Sequence, residues 1–294
     1  QKLKLKKVLK SLLIGLKIIM VNKINIIAEI GWNHMGDMKL AEKMIKSAKI
    51  SGADYCKFQT WKVKNLLSGA WDNDGRKEIY KKAELSDEKH LILKKICRKY
   101  KIGFFTSIFN IQDLKFLKRI NKNIIKIPSH EINNLKLISE SLKHFNKVLI
   151  SAGASNWSEI KKISKLKNFK KKGILMHCIS SYPCEVHNLN FKKIEYIKNL
   201  SSLFGYSGHY SGIEDGILAI SKGAIFIEKH FTINNSLPGR DNKFAILPNQ
   251  MKKLSEFRDF FLKSEKFKGL NVQKCERDIF NNYRGRWGGK SSVK

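Results

Sequence analysis

Several short apolar runs in this chain end in side chains able to bind anions, hold metals or move protons. Glu29 lies in the first run, Lys57 and Gln59 in the second, and Lys126 in the fourth, with Ser129 and Glu131 just beyond it. His177 belongs to the sixth, and Glu228, Lys229 and His230 close the last. A buried ammonium is costly unless an anion offsets it, so two lysines inside such runs imply paired carboxylates or a bound anionic ligand. The plainer alternative is a structural ion pair joining Lys57 or Lys126 to Glu29 or Glu131. Hydroxyls recur at the same places: Ser107, Ser129, Ser151, Ser180 and Ser207. Each alone reads as a turn or cap residue. Five of them with two lysines read better as a pocket for phosphate or carboxylate, and Ser151-Ala-Gly-Ala-Ser155 opens a turn into a helix whose first amides suit phosphate. His209 and His230, with Glu29 near them if the first and last runs adjoin, suit a divalent metal with open positions. His34, His90, His130, His144 and His187 have weaker claims, His90 and His144 by helical spacing.

Such residues need a frame that brings distant run ends together. Eight β-branched runs, at 24–30, 55–60, 103–107, 124–127, 147–151, 173–178, 203–207 and 225–230, alternate with amphipathic stretches. Leu40, Met44, Ile45 and Ala48 show the helical spacing after the first run, and Leu91, Leu93, Ile96 and Cys97 show it before the third. Asp37 and Ser86 are N-cap candidates. Eight βα units in about 210 residues predict a closed (β/α)8 TIM barrel, whose functional groups gather at the C-terminal ends of the strands. An open doubly wound sheet would be expected to carry a G-x-G-x-x-G turn after its first strand, and residues 31–37 lack it. The polar insertion at 61–84 follows strand two on the functional side of such a barrel.

Composition narrows the class further. A chain of 294 residues with 42% hydrophobic residues can bury a core, and its +33 formal charge is spread along the whole length rather than blocked. The lysines travel with abundant Ile and Asn, as A/T-rich codons would dictate. No RNA-recognition or basic-cluster motif accompanies them, so nucleic acid is not expected as a partner. Five cysteines without a C-x-x-C pair argue against a disulfide framework and fit a reducing cytoplasm. The one membrane-like stretch, 8–21, is interrupted by Lys10 and Lys17 and is shorter than the ~20 residues of a spanning helix, so no membrane association is expected. Met20 is the expected true start. Residues 1–19 then form a basic extension, 20–265 the barrel and 266–294 a basic tail.

The ordered segments Ile27-Ala-Glu-Ile-Gly-Trp-Asn-His-Met-Gly-Asp37, Lys57-Phe-Gln-Thr60, Lys126-Ile-Pro-Ser-His-Glu131 and His177-Cys-Ile-Ser-Ser-Tyr-Pro183 carry a resemblance that no single motif would. With Gly205-Tyr-Ser-Gly-His209, Glu228-Lys-His-Phe-Thr232 and Pro238-Gly-Arg-Asp241, the chain over about residues 24–250 resembles the sialic acid synthase (N-acetylneuraminate synthase) family. The resemblance implies a (β/α)8 barrel that condenses phosphoenolpyruvate with an N-acetylated hexosamine aldehyde, forming a nine-carbon 2-keto acid and inorganic phosphate. It implies that Lys57, Ser107, Lys126, Ser129, Ser151, Ser180 and Ser207 hold phosphoenolpyruvate. His209 and His230 would bind a divalent cation, Mn2+ or Mg2+, while Gln59, Tyr182 and Asp241 meet the amino sugar. Glu29 would stand close to that cation as a catalytic carboxylate, and Glu131 and Glu228 would handle protons or orient the ligands, with Glu131 as the expected base. Three positions depart from the family pattern: Gly208 stands where Asp is common, His130 where a small residue is frequent, and Ile108 where Pro follows the serine. Family members commonly continue into an antifreeze-like domain that lends an arginine to the partner subunit, and this sequence stops at Lys294. Arg277, Arg284 and Arg286 of the tail are the expected substitutes, and a homodimer stays open. The rival enzyme reading is a Schiff-base aldolase using Lys126 or Lys57 as nucleophile.

Overall fold

A strand shows alternate side chains to opposite faces, so the polar residues above share a face only if the strands run parallel in a common register. The computed structural model, which describes residues 23–287, has this arrangement. Strands β1 (Asn25–Gly31), β2 (Tyr55–Thr60), β3 (Gly103–Ile108), β4 (Ile124–Ile127), β5 (Lys147–Ser151), β6 (Gly173–Cys178), β7 (Phe204–Gly208) and β8 (Phe226–His230) close in sequence order into a parallel barrel. Helices α1 (Met38–Ile50), α2 (Arg76–Ala83), α3 (Asp87–Lys99), α4 (Leu114–Ile120), α5 (Leu135–His144), α6 (Trp157–Ser164), α7 (Phe169–Lys172), α8 (Lys193–Leu200), α9 (Glu214–Ser221) and α10 (Pro248–Ser264) lie along the chain between and after them. The expected TIM barrel is therefore the observed fold. Its strand limits differ from the sequence reading by one residue in β1, β3, β7 and β8, as at Gly208, which still pairs with Lys229.

Register sets the layers. Ile27, Phe105, Ile124, Leu149, Ile174, Met176 and Phe226 fill the barrel's interior as one apolar cluster. Two residues further along, the same inward face carries Glu29, Lys57, Ser107, Lys126, Ser151, Cys178 and Glu228, so the polar layer sits directly above an apolar plug. Cross-strand neighbours within it are Glu29 with Lys57, Glu29 with His230, Ser107 with Lys126, and Ser207 with Glu228. The intervening residues, such as Ile26, Ala28 and Ile30 of β1 or Val148 and Ile150 of β5, face the helices and join the outer core. Burying each such aliphatic side chain contributes roughly 1.5–3 kcal/mol.

Helix starts follow the local chemistry. The Asp37 carboxylate accepts from the amides of Lys39 and Leu40, capping α1, and the Ser86 hydroxyl accepts from Lys89 to cap α3. Helix α1 buries Ala41, Met44, Ile45 and Ala48, and α3 buries His90, Leu93 and Cys97 while Leu91 is exposed. After α10 the chain from Glu265 to Trp287 is exposed throughout. The proposed start at Met20 and the 1–19 extension lie outside the described residues. Among the described residues no helix is long and apolar enough to cross a membrane.

Candidate active site

The barrel's C-terminal rim opens into a cavity of about 980 Å³. Fourteen of the fifteen side chains singled out from the sequence line it: Glu29, Lys57, Gln59, Ser107, Lys126, Ser129, Ser151, Ser180, Tyr182, Ser207, His209, Glu228, His230 and Asp241. Glu131 is the exception. Strand geometry ends at Pro128, and residues Ser129–Glu131 form a 3-10 turn that directs Ser129 into the cavity. The Glu131 carboxylate accepts instead from Asn134 and borders a smaller neighbouring pocket of about 300 Å³.

At the floor, four buried charges interlock. Lys57 Nζ lies 2.8 Å from Glu29 Oε2 and 3.7 Å from Glu228, and it donates to the Ser107 hydroxyl at 2.7 Å. Lys126 Nζ donates to both Glu228 carboxylate oxygens, at 2.9 and 2.8 Å, and the Ser207 hydroxyl also donates to Glu228 at 3.0 Å. Of the anticipated ion pairs Lys57–Glu29 forms, whereas Lys126 pairs with Glu228 rather than with Glu29 or Glu131. Burial pushes the Glu228 carboxyl up, yet Lys126 and Lys57 outweigh it and hold it at about 2. Burial also raises the Glu29 carboxyl against the pull of Lys57, and lowers the Lys126 ammonium against the pull of Glu228. Of the two floor carboxyls, Glu29 is therefore the one that burial pushes up and Glu228 the one that the lysines hold down.

Beside this cluster the Ser129 and Ser180 side chains line the cavity and pack against Gly153. A Cβ on Gly153 would come within 2.5 Å of Ser180 Oγ, 2.7 Å of Ser129 Oγ and 3.1 Å of Cys178 Sγ, so only glycine lets these three groups pack where they do. Ser180 Oγ is buried with no hydrogen-bond partner, a donor in want of an acceptor. The helix N-terminus expected to bind phosphate contributes less than its sequence suggested. The Asn156 side chain and Glu159 cap α6 reciprocally, which satisfies those amides internally. The turn ahead of it supplies Ser151 and Ala154 to the wall.

Further toward the mouth, His209 and His230 face each other with ring centroids 5.4 Å apart. His209 Nδ1 is 2.6 Å from the Ile179 carbonyl. That contact makes Nδ1 the donor and leaves Nε2 as a lone pair. Burial and the neighbouring His230 hold His209 well below the usual imidazole range, hence neutral. His230 Nδ1 is buried without a hydrogen bond, although Asp241 Oδ2 is 3.2 Å away. Two facing imidazoles, a carboxylate beside one of them and an orphaned ring nitrogen fit a divalent cation. Among the described residues no three such side chains converge into a closed metal site.

The mouth carries residues the sequence reading left unassigned. The insertion after β2 folds over it, bringing Asp74, Gly75, Arg76, Ile79 and Tyr80 to the lining. It is pinned by an aromatic cluster in which Trp61 packs on Trp32, Tyr80 and Phe109 with centroids 6.2, 5.3 and 5.9 Å away. Arg240 reaches Asp74 across the mouth at 3.5 Å, and Arg76 Nε is 2.9 Å from the same carboxylate. Arg76 and Arg240, rather than Arg277, Arg284 and Arg286, are therefore the arginines at this cavity. The three tail arginines are exposed, with Arg284 and Arg286 stacked on Phe280 and Tyr283 of the tail itself. His130, one of the departures noted above, stacks on Phe109 at 6.3 Å and lines both pockets. His177 points outward and binds the Leu189 carbonyl.

Comparison with known proteins agrees with this geometry. The model of the NeuB family matches residues 44–263. The N,N'-diacetyllegionaminic acid synthase of Campylobacter jejuni is 34% identical over 250 residues, covering 80% of this chain and 75% of the relative. The pseudaminic acid synthase of Helicobacter pylori is 32% identical over 245 residues, covering 79% and 72%. Among solved structures, the N-acetylneuraminic acid synthetase of Leptospira borgpetersenii, in complex with citrate, superposes with a TM-score of 0.80 at 33% identity, covering 91% of this chain and 93% of that one. With this family match, these relatives and a barrel rim lined by two lysines and two histidines, the chain belongs to the NeuB family of phosphoenolpyruvate-condensing nonulosonic acid synthases.

Proposed function

We propose that the enzyme joins phosphoenolpyruvate to the open-chain aldehyde of an N-acetylated hexosamine, giving a nine-carbon 2-keto acid of the neuraminate, legionaminate or pseudaminate type and inorganic phosphate. One observation carries this reading: Lys57, Lys126, Ser129 and Ser180 share a single cavity with His209 and His230. The phosphate of the three-carbon acid lies on the cavity side of Ser129 and Ser180, which donate to it, while Lys126 neutralises it. Its carboxylate is met by Lys57 and Ser107. Gln59, Tyr182 and Asp241 orient the sugar, and the aromatic lining of Trp32, Tyr80, Phe109 and Phe244 suits acetamido methyls.

A divalent cation, Mn2+ or Mg2+, held by His209 and His230, would supply Lewis-acid polarisation of the aldehyde oxygen. The enol carbon of phosphoenolpyruvate attacks the aldehyde carbon, whose oxygen takes up a proton. Water adds at the adjacent carbon, and that carbon's bond to the phosphate oxygen then breaks to leave the ketone and inorganic phosphate. That water must give up a proton. Glu29 is the assigned acceptor, because its carboxyl is buried, raised, and next to His230 across the β1–β8 pair. Glu228, held ionised, keeps both lysines oriented. The Schiff-base alternative draws on the lowered Lys126 ammonium, and the bidentate grip of Glu228 opposes it.

A phosphate-release assay with phosphoenolpyruvate, Mn2+ and a panel of N-acetylated hexoses tests the reading. Sugar-dependent release that stops on chelation is expected, with no adduct trapped by borohydride. A trapped ketone adduct, or no release with any sugar, would overturn it. In the same assay Glu29→Gln should lose about 10²-fold or more in turnover, whereas Glu131→Gln should turn over near the wild-type rate.

A further inference from the structure

Strand β8 ends Glu228-Lys229-His230, and the chemistry above uses only the two inward residues. Lys229 points the other way, into the layer between barrel and helices, where its side chain is 1% exposed. There it meets a carboxylate that is 0% exposed: Nζ lies 2.7 Å from Asp215 Oδ2, on α9, and Tyr206 OH donates to the same oxygen at 2.9 Å. The ammonium's other hydrogen bond goes to the main-chain carbonyl of Tyr210, at 2.6 Å. Tyr210 directly follows His209.

We propose that this buried pair is a positioning device for His209, with Asp215 the positioning residue; the idea rests on His209 being a cation ligand. Three contacts then fix the imidazole. The Ile179 carbonyl orients its ring, the Cys184 amide donates to its own carbonyl at 3.0 Å, and Lys229 holds the next carbonyl along the chain. A buried ion pair in an apolar layer is no more stabilising than well-packed apolar residues of the same size. What an apolar pair could not supply is the ammonium's grip on the Tyr210 carbonyl, and cation ligands are sensitive to such supports.

Gly208 belongs to the same device. It is the cross-strand neighbour of Lys229, and a Cβ there would lie 2.3 Å from Asp215 Oδ2 and 2.5 Å from the Tyr206 ring. The partner carboxylate for Lys229 can therefore arrive from α9 or from the end of β7, but not from both. Asp215 supplies it here, and position 208 is left without a side chain.

Titration of the metal-free full chain with Mn2+, followed by the paramagnetic resonance signal of the free ion, tests the proposal without recourse to turnover. Asp215→Asn should weaken Mn2+ binding by about 10–100-fold and leave calorimetric binding of phosphoenolpyruvate to the metal-free protein unchanged. The apolar pair Lys229→Met with Asp215→Leu should melt near the wild-type temperature and still bind Mn2+ as weakly. Relocating the carboxylate, with Gly208→Asp and Asp215→Ala together, should restore Mn2+ affinity. Wild-type Mn2+ affinity in the apolar pair, or a folded relocated variant that still binds weakly, would overturn the positioning role. Failure of the wild-type chain to take up Mn2+ at all would instead strike the cation reading on which it rests.

Discussion

The four interlocked charges on the barrel floor explain how two lysines are tolerated there before any substrate arrives. Each ammonium has a carboxylate within 2.9 Å, so the cluster is neutral as a whole. An incoming acid phosphate can recruit Lys57 and Lys126 by partial exchange with Glu29 and Glu228. Removing one member should expose the difference between holding the fold and holding the ligand. Lys126→Met strands the Glu228 carboxylate in a buried site and should cost about 3–5 kcal/mol, read as a fall in the urea midpoint. The double variant Lys126→Met with Glu228→Gln should recover most of that stability. Both should fail to release phosphate. Recovery of turnover in the double variant would mean that Lys126 serves only to neutralise Glu228.

At the scale of elements, the strand ends supply the charges and the loops between strand and helix decide which atoms reach the cavity. Gly153 makes the point, because an added methyl would push the Ser129 and Ser180 hydroxyls out of place, and its nearest neighbours include no residue of the apolar core. Gly153→Ala is therefore expected to raise the KM for phosphoenolpyruvate by about tenfold or more, which is only ~1.4 kcal/mol of lost binding, with the melting temperature little changed. A drop in kcat alone would contradict this. The strands themselves were legible in the sequence because β-branched runs with period-two polar insertions have few other uses. Glu131 was not, since spacing of two keeps residues on one face only in extended chain. The 3-10 turn after Pro128 rotates about 120° per residue and sends Glu131 elsewhere. The α6 amides were misread for a different reason: Asn156 and Glu159 already spelled a capping box. Asp215 left a fainter signal. A lysine between two inward residues must point outward and needs a carboxylate there, but the alternation alone does not say which helix provides it.

For the molecule as a whole, the barrel architecture and the gathering of fourteen residues at one rim followed from strand order, yet the response to acid depends on burial that only the packed structure reveals. His34 and His177 are both 0% exposed, and burial holds each imidazole down at about 4, against the usual 6.5. Burial also lowers His90, His130 and His209. In every case the unfolded chain binds the proton more readily than the folded one. Their contribution is therefore intact above pH 6.5 and drains away as the pH falls toward 4. From pH 7 to pH 5, His34 and His177 alone should remove roughly 3–4 kcal/mol of stability. Glu228 acts in a lower window, between its ordinary value and about 2, and so does not mask the effect. Each histidine that unfolding exposes also adds positive charge to a chain already at +33, so self-repulsion favours the open state further. Melting at pH 7 and pH 5 in the same salt should differ by roughly 10 °C, and added salt should narrow the part that comes from repulsion but not the part that comes from buried imidazoles. A melting temperature flat across this range would mean that the buried histidines are already charged in the folded protein, and the neutral His209 lone pair on which cation binding depends would fall with them.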